Sequence, residues 1–226
     1  MGYAVLGRIF FILRATLLVL LPCSAAAQFY AGGMVAVTSL SGDARSIITP
    51  GATQFSSYNP QNGPGLNLLA GKHFNDYFSI QGDYVWNRNA LTLSAADVAG
   101  SSVSKYKETM QSSQHSAFAS VLVYFRSRNS RLRPYLSVGT GFVHLSSSVQ
   151  NVSVQQGSVI APGAFDTNFI ALRVPVGIDV KMHAGWYFRY SFTENISHNP
   201  ISPQLSPPAT HTFKNFQNLF GVIHQF

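Results

Sequence analysis

Five charged residues occur at alternate positions of three segments that the sequence predicts to be β-strands. Side chains two positions apart share a face of a strand, and each of these charges lies opposite an apolar column. We expect all five to point into the interior of one closed sheet, where buried charges must pair with one another. These residues are Asp83, Arg173, Asp179, Lys181 and Arg189.

Two interpretations of this interior cluster are open from the sequence. In the first, the carboxylates of Asp83 and Asp179 meet the guanidinium groups of Arg173 and Arg189 across the lumen. They would then form a polar plug in which each buried charge is paired with an opposite charge. In the second, the same groups form a gate, whose rearrangement opens a small pore. The sequence favours the plug, because the interior of a small closed sheet is narrow enough for side chains to fill.

The segments that carry these charges alternate between apolar and polar side chains. In residues 168–182 the apolar face holds Ile170, Leu172, Val174, Val176, Ile178 and Val180. Residues 186–195 repeat the pattern with Trp186, Phe188, Tyr190 and Phe192, and residues 77–87 with Phe78, Ile80, Tyr84 and Trp86. A period of two indicates strands with two different surroundings. Trp86 and Trp186 lie near strand ends, where tryptophan often marks a membrane interface.

The whole chain divides into eight such segments, joined alternately by long and short connections. The predicted strands are 29–39, 64–74, 77–87, 115–125, 134–146, 168–182, 186–195 and 213–226. The predicted long connections are 42–63, 88–114, 147–167 and 196–212. Tilted strands of about 9–11 residues suffice to cross a bilayer. The pattern predicts an all-β fold, an eight-stranded antiparallel up-and-down transmembrane β-barrel with short periplasmic turns and long outer loops.

The composition agrees with this class. Charged residues make up 10% of the 226 residues, against about 25% in a typical soluble domain. Aromatic residues make up 13%. Few charges, many aromatics and little continuous apolar sequence favour a barrel in which only alternate residues meet lipid. A secreted β-sandwich is the alternative.

The first 27 residues have the order of a secretory signal peptide. Arg8 precedes an apolar run over residues 9–21, and Ala25-x-Ala27 is a suitable cleavage site. We expect cleavage after Ala27, which leaves 28–226 as one barrel domain without its single cysteine, Cys23. The alternatives are an uncleaved anchor, disfavoured because Arg14 interrupts the run, and a lipoprotein signal at Cys23.

The chain ends on a strand pattern with an aromatic final residue. Phe216, Phe220, Val222 and Phe226 alternate along one face of the last segment, although His224 and Asn218 interrupt the apolar series. This ending resembles the C-terminal strand signal of bacterial outer-membrane proteins. The resemblance implies that the barrel-assembly machinery reads these residues during biogenesis.

Three segments together carry a wider resemblance. They are residues 29–37 with Gly32-Gly33, residues 133–141 and the terminal strand. With them the chain resembles the small eight-stranded outer-membrane barrels of the OmpA and OmpX type. The resemblance implies a barrel in the outer membrane of a Gram-negative-type cell, in contact with its lipids and lipopolysaccharide. It further implies a structural or surface-interaction role, with limited passage of small solutes as a further option.

The same resemblance adds an enzymatic alternative. Some eight-stranded outer-membrane barrels deacylate lipopolysaccharide with a His-x-Ser pair and an acidic residue. This chain has His144 and Ser146 two positions apart, without an identifiable acidic partner. It also has Ser197 followed by His198, but Asn195 stands where that family has its histidine. A serine without a base lacks the activation that nucleophilic catalysis requires.

Other classes of function find little support in the sequence. Arg126, Arg128, Arg131 and Arg133 form a basic cluster in one short connection, but no nucleic-acid reader motif accompanies it. The seven histidines show no paired ligand spacing. We therefore expect no cofactor, no bound metal and no nucleic-acid partner, and a monomeric protein.

Overall fold

The computed structural model describes residues 28–41, 44–47, 55–99, 101–201 and 212–226. The predicted signal peptide and the cleavage site after Ala27 lie outside these residues. The described strands are β1 Gln28–Ser41, β2 Ala44–Ile47, β3 Phe55–Pro60, β4 Gly63–His73, β5 Phe78–Ala99, β6 Ser102–Tyr124, β7 Leu132–Gln156, β8 Phe165–Lys181, β9 Trp186–Ser197 and β10 Phe213–Gln225. Within the described ranges there is no helix long and apolar enough to cross a membrane.

Eight of these strands close into a ring. In order around the ring they are β1, β4, β5, β6, β7, β8, β9 and β10, and β10 pairs again with β1. All pairs are antiparallel, and Tyr30 opposite Gln225 begins the seam between the chain ends. Closure leaves the eight-stranded ring without a free edge in the membrane-spanning band, as lipid surroundings require. The prediction of an eight-stranded antiparallel up-and-down barrel is confirmed.

The turns at one end of the ring are short, as predicted. In the turn after β4, the side-chain Oδ1 of Asn75 accepts hydrogen bonds of 2.8 Å from the backbone N–H groups of Tyr77 and Phe78. Asparagine commonly closes turns in this way. In the turn before β9, Ala184 and Gly185 have φ angles of 48° and 80°. Short turns mark the periplasmic end of outer-membrane barrels.

The strands at the other end extend further than predicted. Residues 88–114, predicted to be a long loop, are mostly strand, because β5 continues to Ala99 and β6 begins at Ser102. Within 42–63, β2 pairs with β3, and β3 pairs with β5. Serine-rich sequence has a weak intrinsic strand preference, which led to the wrong prediction. The alternating apolar residues Leu91, Leu93 and Ala95 continue the inward column and are buried.

The outward faces of the strands change from apolar to polar at one level of the ring. On β6 the outward series is Val121, Ala119, Ala117, His115, Ser113 and Gln111. On β7 it is Val138, Thr140, Phe142, His144, Ser146 and Ser148. This level marks the outer edge of the lipid-facing band. We call β2, β3, residues 88–99 of β5, 102–114 of β6 and 145–156 of β7 the outer extension.

The interior has two zones. Below the outer extension it is lined mainly by polar and charged side chains. At the level of the extension it becomes apolar. The buried residues there are Leu40, Leu91, Leu93, Ala95, Tyr106, Met110, Leu145, Ile201 and Phe213.

Candidate functional site

The polar zone is built around Arg189 on β9. Its Nε donates to Oδ1 of Asp179 over 2.6 Å, and its Nη2 donates to Oδ2 over 2.7 Å. Both side chains are fully buried. Asp179 is the register partner of Arg189 on β8, so the pair forms along one wall of the barrel. A two-pronged contact of this kind is among the strongest that a carboxylate makes.

A third hydrogen bond of Arg189 crosses the lumen. Its Nη1 donates to Oε1 of Gln81 on β5 over 2.7 Å. β9 and β5 lie on opposite sides of the eight-stranded ring, so this contact spans its diameter. Gln81 in turn donates from Nε2 to both carboxylate oxygens of Asp83, over 2.9 and 3.0 Å. Gln81 therefore connects Asp83 to Arg189, and Arg189 in turn contacts Asp179.

Three tyrosines enclose the guanidinium group. The Tyr124 hydroxyl donates to Oδ2 of Asp179 over 3.0 Å and accepts from Nη2 of Arg189 over 2.8 Å. The Tyr30 hydroxyl donates to Oε1 of Gln81 over 3.1 Å. The guanidinium carbon lies 4.9 Å from the ring centre of Tyr135 and 5.5 Å from that of Tyr30. Ring faces at such distances stabilise a cation.

Arg173 lies apart from this network. Its Nη1 donates to Oδ1 of Asn195 over 3.4 Å and to Oε1 of Gln217 over 3.3 Å. Its guanidinium carbon lies 5.0 Å from the ring centre of Phe118. Within the described part of the chain it forms no ion pair. The side chain is buried, so amides and an aromatic ring replace the carboxylate that the sequence led us to expect.

The structure thus divides the five residues of the predicted cluster. Asp179 and Arg189 are in direct contact, and Asp83 joins them through Gln81. The predicted meeting of opposite charges across the lumen is wrong, because the ion pair joins neighbouring strands and a neutral side chain makes the crossing. Lys181 does not belong to the cluster: it is the last residue of β8 and is exposed, since its inward column ends at the rim.

Several members of the network were missed from the sequence. Gln81 shares the column of Asp83 and could have been found there, but a neutral side chain gave no electrostatic signal. Arg133 was assigned to a turn, yet it is buried at the start of β7 with its guanidinium carbon 3.9 Å from the ring centre of Tyr124. Its Nη2 donates to the backbone oxygen of Asp76 over 3.0 Å. Arg133 thereby caps the periplasmic end of the plug.

The residues of the enzymatic alternative do not assemble into a catalytic group. His144 is exposed on the outer wall, and its Nδ1 bonds to Oδ1 of Asn168 over 2.9 Å. The Ser197 hydroxyl donates to the backbone oxygen of His198 over 3.0 Å. Neither Ser146 nor Ser197 hydrogen-bonds to a histidine side chain within the described residues. The arrangement gives no activated serine.

The C-terminal residues Phe216, Phe220, Val222 and Phe226 lie on the outward face of β10. The two polar residues in this column have partners there. Asn218 accepts a hydrogen bond from the Tyr190 hydroxyl over 3.1 Å. The ring of His224 lies 4.8 Å from those of both Trp186 and Phe226. These contacts let polar residues occupy a column that faces lipid.

Comparisons with known proteins agree with this architecture. Residues 12–217 match the family model described as outer membrane protein beta-barrel domain. No curated protein matches the chain. The structure of neisserial surface protein A has a TM-score of 0.54 at 15% identity, over 89% of this chain and 99% of that one. OprG from Pseudomonas aeruginosa gives 0.50 at 13% identity, over 88% and 95%. These two similarities show the fold alone.

Proposed function

Because the chain belongs to the outer membrane protein β-barrel domain family, and lies in the outer membrane of a Gram-negative-type cell, we propose that it acts at the cell surface by binding a polypeptide partner. The partner-binding element is the outer extension. The lumen below it contributes rigidity rather than passage, since the Arg189–Gln81 bridge crosses it.

The observation that carries this proposal is the free edge of β7. One edge of β7 pairs with β6 as far as Gln156, opposite Lys105. On the other edge, pairing with β8 ends at Ser147, opposite Phe165. Residues 148–156 are mostly exposed, and within the described residues no strand pairs with their second edge. This edge has no charged residue and no proline, although two register shifts between β6 and β7 interrupt the ladder beside residues 149–154.

A free edge of this kind fits an extended polypeptide segment that adds one strand to the sheet. In such binding, backbone hydrogen bonds supply affinity, and alternate side chains supply specificity. Val149, Val152 and Val154 give the edge an apolar component. The first two are 38% and 39% exposed. A partner segment with apolar residues opposite these valines matches this surface.

Selection of displayed peptides on cells that express the protein tests the proposal. We expect enriched peptides to lose binding when their alternate backbone N–H groups are methylated, and when Val149→Lys or Val152→Lys places a charge on the edge. Ile160→Lys in the following loop is the matched control, because Ile160 is 75% exposed and lies outside the edge. Peptides that bind equally to the edge variants, or a selection that enriches none, would contradict strand addition.

The second part of the proposal concerns the assembly of the barrel into the outer membrane. The outward aromatic column of β10 ends at Phe226 beside the seam with β1, which supports recognition of Phe216, Phe220, Val222 and Phe226 by the barrel-assembly machinery. Phe226→Ser should reduce the amount of heat-modifiable protein in the outer membrane. Leu132→Ser, on an exposed position of β7, is the control, and an equal reduction in both variants would argue against a specific signal.

A further inference from the structure

Two histidines that are far apart in the sequence are direct register partners on β6 and β7. They are His115 and His144. Both side chains are exposed on the outward face, at the level where that face changes from apolar to polar. Opposed side chains in an antiparallel pair have Cβ atoms about 4.5–5.5 Å apart. The backbone register therefore places two histidines side by side at the outer boundary of the lipid-facing band.

A hydrogen bond holds one nitrogen of each ring. Nδ1 of His144 lies 2.9 Å from Oδ1 of Asn168. An amide oxygen only accepts, so the proton of a neutral His144 ring is on Nδ1 and the lone pair is on Nε2. Nδ1 of His115 lies 2.8 Å from the hydroxyl oxygen of Tyr84. That oxygen can accept the same kind of hydrogen bond, which would again leave the lone pair on Nε2.

A third contact supports this tautomer of His115. The indole Nε1 of Trp86 donates to Oγ of Ser113 over 3.2 Å. The same Oγ lies 3.4 Å from Nε2 of His115. Because the serine oxygen accepts from the indole, its own hydrogen is available to Nε2. In this tautomer both rings have a protonated, hydrogen-bonded Nδ1, and a metal ion at Nε2 of His115 displaces the hydrogen bond from Ser113.

The two rings border a concave region of the outer wall. Its volume is about 380 Å³, and Ala117, Phe142 and Asn168 also line it. Ala117 is small, and Phe142 stands 73% exposed beside it. This volume holds an ion together with several water ligands, since one water takes about 30 Å³ in the liquid.

We propose that His115 and His144 form a chelating site for a divalent transition-metal ion, with Nε2 of each ring as a ligand. Imidazole suits Cu²⁺ and Zn²⁺, and Cu²⁺ binds most tightly to a given nitrogen site. Metal-binding histidines regularly donate their other N–H to an oxygen, as His144 does to Asn168. The described residues contain no group of three or more His, Cys, Asp or Glu that could hold a metal. The other coordination positions are therefore filled by water or by phosphate oxygens of lipopolysaccharide.

Copper titration of the untagged full chain, purified from outer membranes, tests this site. Electron paramagnetic resonance of bound Cu²⁺ should show coupling to two imidazole nitrogens. His115→Gln and His144→Gln should each remove the two-nitrogen signal, while heat-modifiable mobility confirms that the variants fold. Asn168→Leu should weaken Cu²⁺ binding about 10-fold with the signal retained.

His183→Gln is the matched control, because it removes an exposed histidine from a periplasmic turn. It should leave both the affinity and the two-nitrogen signal unchanged. A wild-type chain that binds no Cu²⁺, or a signal that persists in both His115→Gln and His144→Gln, would overturn the proposal.

Discussion

The membrane-spanning part of the barrel and its outer extension are built inside out relative to each other. In the former the interior is mainly polar and the exterior mainly apolar, whereas in the latter the interior is mainly apolar and the exterior mainly polar. One strand, β5, shows the change. Its inward residues are polar or charged from Ser79 to Asn89, apart from Val85, and apolar from Leu91 to Ala95. Its outward residues are mainly apolar up to Trp86 and mainly polar or small beyond it.

This difference teaches that the surrounding solvent decides which face of an alternating strand is apolar. Where lipid surrounds the ring, polar side chains are confined to the lumen and must satisfy one another. Where water surrounds the extension, apolar side chains gather inside as in a soluble protein. The two parts should therefore respond differently to the removal of a charge and to the removal of a methyl group.

The largest expected effect comes from removing half of the buried ion pair. Asp179→Leu leaves the Arg189 guanidinium without its carboxylate, and breaking a buried pair costs about 3–5 kcal/mol. The double variant Asp179→Leu/Arg189→Met removes both charges and should recover most of that loss. Urea unfolding in liposomes measures both. If the double variant were as unstable as the single one, charge pairing would not explain the stability of the polar zone.

In the outer extension, the corresponding test is to shorten a buried apolar side chain. Leu93 is fully buried in the apolar cluster, and Leu93→Ala should destabilise the extension by about 3 kcal/mol. Amide hydrogen exchange should accelerate there and remain slow in the membrane-spanning strands. The comparison variant is Leu172→Ala, whose side chain faces lipid and is 45% exposed. Equal acceleration throughout the barrel would show that the two parts are not separate zones.

Gly177 on the inner face of the barrel and Gly82 on its outer face differ in the space available for a side chain. A Cβ on Gly177 would lie 2.5 Å from both the Tyr135 hydroxyl and the backbone oxygen of Tyr190, whereas a Cβ on Gly82 would meet nothing closer than 3.9 Å. Gly177→Ala should therefore destabilise the barrel by about 1–3 kcal/mol, and Gly82→Ala should change its stability by less than about 0.5 kcal/mol. Urea midpoints of the two variants decide this. A tolerated Gly177→Ala would mean that the lumen is less tightly filled than the distances indicate.

The smallest expected effect is a pH dependence confined to the outer extension. Glu108 is only 1% exposed, and among the residues that the structure describes its Oε2 has no hydrogen-bond partner. Burial raises the pKa of its carboxyl group above the usual value. The folded state therefore favours the protonated acid, and the contribution of Glu108 to stability is present at low pH and is lost as pH rises through the folded pKa. Amide protection factors in the extension, which are corrected for the pH dependence of intrinsic exchange, should fall over that range, and Glu108→Gln should remove this fall.

Alternation alone was enough to predict the ring and the inward position of its main charges. Ile170 to Val180 opposite Arg173 and Asp179 define the faces of β8 without any knowledge of neighbouring strands. Alternation does not fix register, so the sequence could not show that Asp179 pairs with Arg189 on the next strand or that His115 meets His144. It also does not reveal where a column reaches the rim, which is why Lys181 was misplaced.

Strand ends were harder to predict because pairing can override local preference. The serine-rich stretch around residues 101–114 has few residues that favour strands, yet β5 supplies a partner along its whole length. The buried residues Leu91, Leu93 and Met110 already showed the inward period there. The same two-residue period, continued across the polar residues between them, predicts longer β5 and β6 strands.

Planar-bilayer recording tests most directly the claim that the membrane-spanning lumen is closed by the Arg189–Gln81 bridge. The wild-type chain should give no discrete openings. Gln81→Ala, which removes the crossing residue and keeps the Arg189–Asp179 pair, should give small openings. Asp83→Asn and Arg173→Gln should remain silent, because neither side chain spans the barrel. Discrete wild-type openings whose size changes in Asp83→Asn or Arg173→Gln would contradict the plug and establish a gate.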